Sequence, residues 1–137
     1  MCISKKVVYV LLSLFIFINV SYAADTTYTE DKLAFSVKSD HPEFVIKLIS
    51  NPTTGYSWAL ENVTGQLIEP VKHEIVRNPN KKLMGAPGYE LWTFKAKPEA
   101  FRVPTIIKIK FFYSRPWEVD ENAKPLVFQV TTQEKSK

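Results

Sequence analysis

The chain has 137 residues, 45% apolar and 23% charged, a length for one domain and a composition that excludes a disordered chain. Nine prolines against four glycines exclude collagen-like and Gly/Ser-linker stretches. The formal charge of +4 includes Lys5 and Lys6, and the remaining 16 basic and 14 acidic side chains are too balanced and scattered for a nucleic-acid binder, which clusters Lys and Arg on one face.

Residues 1–6 carry two lysines, residues 7–20 are almost wholly apolar, and Ser21-Tyr22-Ala23 sets small residues at the −3 and −1 positions. This is the pattern of a secretory signal peptide. A membrane anchor is the competing reading, but a spanning helix needs about 20 apolar residues, and this run is shorter and broken by Ser13 and Asn19. Cleavage is expected after Ala23, leaving residues 24–137 as one secreted or periplasmic domain with its core over about 32–132 and no membrane attachment. The only cysteine, Cys2, leaves with the leader and lacks the upstream apolar run that a lipid-attachment cysteine follows. The mature chain is therefore expected to carry no thiol, disulfide or Cys-based metal site.

Residues 25–31 and 133–137 are polar and are expected to fray. Between them the apolar pattern has period two. Leu33, Phe35 and Val37 mark a first strand, and Phe44, Ile46 and Leu48 a second. Tyr56, Trp58 and Leu60 mark a third. Residues 67–76 form a weaker fourth, in which Pro70 predicts a sheet edge, where a missing N–H is harmless. Trp92, Phe94 and Ala96 mark the fifth, with Leu91, Thr93 and Lys95 facing away. Ile107, Ile109, Phe111 and Tyr113 mark the sixth, and Leu126, Phe128 and Val130 the seventh. No window carries a helical period with caps. The pattern predicts an all-β fold, an immunoglobulin-like antiparallel β-sandwich of about seven strands. Trp58 matches the buried tryptophan of such sandwiches, while the cysteine pair of antibody domains is absent, so the likeness is one of architecture.

If successive strands run antiparallel, their connections alternate between the two ends of the sandwich. Residues 50–55, 77–88 and 114–124, here the first, second and third loops, then share one end. They hold the unusual segments Pro52-Thr53-Thr54-Gly55, Gly85-Ala86-Pro87-Gly88 and Arg115-Pro116-Trp117. Residues 39–42, 62–66 and 97–103 at the other end read as ordinary polar turns. Three distinctive loops at one end of a rigid sandwich resemble the way antibody variable domains bind. Each segment also has a plain reading. The first is a possible hairpin turn with Gly55 at positive φ, and Gly85 and Gly88 can simply turn a long loop back. Trp117 is either a hot-spot residue beside Arg115 or an aromatic folded back onto the core.

Catalysis by a nucleophile needs an activated Ser, Thr or Cys with a base. The two histidines, His41 and His73, have no nucleophile or metal-ligand spacing beside them, and both read as surface or edge residues. No glycine-rich phosphate loop occurs. No enzyme, cofactor or metal is expected. An adhesion or carbohydrate-binding sandwich, stacking sugars on Tyr56, Tyr89 and Trp117, stays open as the alternative.

Together the three segments resemble the chagasin-like inhibitors of papain-family cysteine peptidases. Asn51-Pro52-Thr53-Thr54-Gly55-Tyr56-Ser57-Trp58 is similar to the family's eight-residue signature in full, which a sugar binder has no reason to keep. Gly85-Ala86-Pro87-Gly88-Tyr89 with the following Trp92-Thr93-Phe94 resembles its glycine-rich loop and strand, and Arg115-Pro116-Trp117-Glu118 its last binding loop. Order and spacing agree from about residue 33 to residue 130, while Pro87 departs from a frequent glycine. The resemblance implies a monomeric, reversible, tight-binding inhibitor of papain-like cysteine peptidases that occludes the cleft with the three loops. It implies that Thr53 and Thr54 lie near the catalytic cysteine and histidine, that Gly85, Ala86, Pro87 and Gly88 lie along the cleft, and that Arg115 and Trp117 touch the wall beside the histidine. Asn51, Pro52, Gly55, Tyr56, Tyr89 and Pro116 complete the implied contact set. Asn62-Val63-Thr64 is a glycosylation sequon, meaningful only in a eukaryotic source.

Overall fold

Period-two alternation becomes eight strands in the computed structural model, which describes residues 26–134 except Lys81, Met84 and Val119. The expected leader, Cys2 with it, and the last three residues of the expected tail lie outside the described residues. The strands are β1 (Thr27–Tyr28), β2 (Ala34–Lys38), β3 (Glu43–Ser50), β4 (Ser57–Val63), β5 (Ile68–Val76), β6 (Gly88–Ala96), β7 (Ile106–Ser114) and β8 (Leu126–Gln133). Short 3₁₀ turns stand at Pro52–Thr54, Thr64–Gln66 and Pro98–Phe101.

The strands form two four-stranded sheets, β1-β3-β6-β5 and β2-β8-β7-β4, the sandwich that alternation predicts. Only β5–β6 and β7–β8 are hairpins, since every other connection from β2 onward crosses between sheets. β6 is antiparallel to β3 and β5, and β7 to β4 and β8. Pro70 does lie on an edge strand, and the register slips just after it, between Pro70 and Lys72.

Two pairings depart from the antiparallel pattern. β2 runs parallel to β8, and β1 runs parallel to β3. The chain leaves one sheet at the end of β2 and enters the other at β3, so β2 cannot pair with its successor and instead covers the open edge of β8. The N-terminal arm, expected to fray, contributes β1. Its Tyr28 ring stacks on Phe35 at 3.6 Å and meets Phe44 edge-on at 6.4 Å, a contact that a reading of the arm's polarity overlooks.

The inward positions of both sheets meet in a core built around Phe44, Phe94, Phe111 and Phe128, with Ile46, Leu48, Ile107, Ile109 and Val130 between them. Phe94 and Phe111 bridge the sheets with centroids 6.1 Å apart. Burying each such side chain contributes about 1.5–3 kcal/mol. Residues 97–103, expected as an ordinary polar turn, place Ala100 and Phe101 in this core and close its far end. Trp58 and Trp92 face inward but sit at the periphery, only partly buried.

Candidate functional site

Strand register puts the three loops at one end. Ser50 lies opposite Gly88, Val76 opposite Tyr89, and Ser57 opposite Ser114. In the first loop Pro52 opens a 3₁₀ turn that Gly55 closes at φ +82°. Thr54 N–H donates to Asn51 O and Gly55 N–H to Pro52 O, both at 3.1 Å. The hydroxyls of Thr53 and Thr54 also donate back to Asn51, so the turn satisfies its own polar groups while both threonines stay exposed.

Asn51 ties this loop inward and sideways. Its N–H donates to the Tyr113 hydroxyl, and its amide Nδ2 donates to Gly85 O in the second loop, each at 2.9 Å. Arg115 ties the third loop to the first, since Nε donates to Thr54 O at 3.1 Å while the guanidinium lies 4.7 Å over the Tyr56 ring. Its Nη1 donates to Glu118 at 2.9 Å, and that hydrogen bond chiefly pushes the Arg115 pKa above its ordinary value. Trp117 is 70% exposed and so lies outside the core. Its ring rests on Gly55, where an added Cβ would stand 2.7 Å from Cη2.

Gly85 sits exposed at φ +77° with no atom within 4 Å of where a Cβ would be. Pro87 and Pro116 are exposed, and Ala86 is half-buried. Gly88 and Tyr89 belong to β6 rather than to the loop crest. Gly88 is buried, with Val76 O in the space that a Cβ would take, and half-buried Tyr89 lies under Lys47 at 4.1 Å. A cleft of about 440 Å³ separates the first and second loops, lined among others by Thr53, Asn78, Leu83 and Ala86. No cluster of His, Cys, Asp and Glu among the described residues has the makings of a metal site.

Beneath this rim lies a group that sequence reasoning passed over. Glu90 occupies an inward position of β6 and is fully buried. His41 is exposed and His73 lies exposed on edge strand β5, both as expected, and the His73 ring reaches over the inward face of its sheet. That ring stacks on Trp92 at 3.9 Å and its Nε2 lies 2.8 Å from Glu90 Oε2. The signal was an acidic residue sharing the inward parity of Trp92, Phe94 and Ala96.

Residues 39–132, all three loops included, match the chagasin family of peptidase inhibitors. The chain belongs to that family. This chagasin-family chain is therefore an inhibitor of peptidases and not an enzyme. Several solved structures share its fold. The solution structure of amebosin is 24% identical with a TM-score of 0.59, over 78% of this chain and 96% of that one. The crystal structure of the cysteine protease inhibitor EhICP2 from Entamoeba histolytica is 24% identical with a TM-score of 0.62, over 77% of this chain and 93% of that one. A comparison with curated proteins finds no match.

Proposed function

We propose that this chagasin-family protein inhibits papain-like cysteine peptidases reversibly and as a monomer, by filling the active-site cleft with the three-loop rim. The observation that carries the reading is the cross-linking of the rim: Asn51 to Gly85 joins the first loop to the second, and Arg115 to Thr54 joins the third to the first. The fold neighbour EhICP2 is a cysteine protease inhibitor, which supports the choice of target class. A rim already fixed on strands loses little entropy on docking, so tight binding needs no covalent step. Gly85, exposed and without a side chain, brings backbone close to a narrow groove. Thr53 lines the same cleft as Gly85 and Thr54 stands exposed next to it in the first loop, and Trp117 offers a broad exposed aromatic surface. The leader, residues 1–23, directs export and is removed in the course of it, which delivers the inhibitor to a secreted or periplasmic location.

Titration against papain with a dye-releasing peptide tests the proposal. We expect stoichiometric, reversible loss of activity and recovery of uncleaved inhibitor. Papain whose thiol carries a methylthio block should still bind, more weakly. No slowing of papain, or a stable covalent adduct, overturns the reading.

A further inference from the structure

The inward face of β6 is apolar at Phe94 and Ala96, and Glu90 breaks it with a carboxylate that is 0% exposed. Taking such a group out of water is costly unless donors meet its oxygens. Here they do. Oε1 accepts from the Ser50 hydroxyl at 2.7 Å and from the Trp58 N–H at 3.1 Å. Oε2 lies 2.8 Å from His73 Nε2, within hydrogen-bond distance.

The origin of these donors matters more than their number. Ser50 is the last residue of β3 and Trp58 the second of β4, so they are the two feet of the first loop, and they stand in different sheets. Glu90 itself is in the strand that leaves the second loop, and His73 in the strand that enters it. One carboxylate thus gathers all four strands that carry the first and second loops. Stability alone gives little reason for this choice, because a well-packed apolar side chain at a buried ionic position is often as stable or more so.

We propose that Glu90 is a positioning residue for inhibition, whose buried carboxylate sets the separation of the first loop's feet and the placement of that loop against the second. The proposal rests on the inhibitory reading above. A rim held this way docks pre-formed, while a rim with free feet must be ordered by the peptidase at the expense of affinity.

The test compares Glu90→Leu, which removes both acceptors, Glu90→Gln, which keeps one oxygen for Ser50 and Trp58, Ser50→Ala, which removes one donor, and Val130→Ala, a core truncation in β8 outside the network. Two quantities are read on the full mature protein: amide hydrogen exchange in the first loop and at Trp58 without peptidase, and the dissociation rate from papain. In Glu90→Leu, first-loop and Trp58 exchange and dissociation should both rise by about tenfold or more, the scale of losing one charge-assisted hydrogen bond. Ser50→Ala should move both in the same direction by less, and Glu90→Gln should restore most of the wild-type behaviour. Val130→Ala should melt earlier yet keep wild-type loop exchange and dissociation. The proposal is overturned if folded Glu90→Leu retains both wild-type rates, or if Val130→Ala raises them as much as the Glu90 variant does. Should Glu90→Leu fail to fold, unchanged loop exchange and dissociation in Ser50→Ala overturn it equally. A wild-type protein that leaves papain untouched defeats the inhibitory reading, while the exchange rates of the free protein still decide whether Glu90 positions the loop.

Discussion

Gly55 and Gly85 both hold left-handed φ, +82° and +77°, but under different constraints. A Cβ on Gly55 runs into the Trp117 ring, and one on Gly85 meets nothing. Alanine at either should cost about 1–2 kcal/mol for the backbone alone. Gly55→Ala should in addition displace Trp117, weaken inhibition and shift tryptophan emission, whereas Gly85→Ala should leave the emission unchanged. Melts, emission spectra and inhibition constants on the pair check this. The three tryptophans divide in the same way. Trp117→Ala should leave the melting temperature nearly unchanged and weaken inhibition by about 2 kcal/mol, roughly thirtyfold, as a hot-spot aromatic does. Trp58→Ala should instead cost about 3 kcal/mol of stability, because the ring packs on Phe111 and Tyr113 and its Nε1 donates to Ile49 O. Trp92 buries an Nε1 with no hydrogen-bond partner among the described residues. Trp92→Phe deletes that stranded donor and keeps an aromatic face for His73 and Phe111, so it should change stability by less than about 1 kcal/mol where Trp92→Ala costs about 3.

The β5–β6 hairpin carries the second loop, and of the four glycines Gly88, at the loop end of this hairpin, has the least room. Gly88 packs against the backbone of Val76 and Arg77, so Gly88→Ala must push the two strands apart just below the loop. The expected loss is about 1–3 kcal/mol of stability, together with weaker inhibition as the loop base moves, read from melting and inhibition measurements on the one variant. The structure places that glycine at the start of β6, and nothing local in the sequence distinguishes a glycine needed for access from one needed for strand approach. The same limit runs through the other elements. Alternation gave the inward faces of β2, β3, β6 and β7, and Pro70 gave an edge, since each is a property of a short window. Parallel pairing of β2 with β8 depends on which sheet edge is left open after six other strands have paired, which no window contains. A two-residue strand such as β1 has no period to detect. The linked loop end was legible from strand parity and the three segments. The network around Glu90 was not, because Ser50, Trp58 and His73 lie 40, 32 and 17 residues from it along the chain and meet it only once both sheets are stacked.

At the scale of the molecule, the core accounts for stability without a covalent staple. Both sheets contribute fully buried phenylalanines, two from each, and the Pro98–Phe101 turn plugs the end opposite the rim. A domain of this size buries enough surface to fold unassisted, whereas chains below about 40 residues usually need disulfides, metals or partners. The sole cysteine of the sequence, Cys2, lies in the segment expected to be removed. The exported protein should therefore begin at Ala24, and its melting temperature should be the same with and without a thiol reductant. Mass spectrometry of the exported chain fixes its first residue, and paired melts fix the redox response. A chain that keeps Cys2 and forms a disulfide-linked dimer would run at twice the mass without reductant and lose that species with it. Because the rim stands on strand ends and not on any sulfur bridge, its three loops should hold their mutual hydrogen bonds under both conditions, and inhibition constants measured with reductant-treated and with untreated inhibitor should agree.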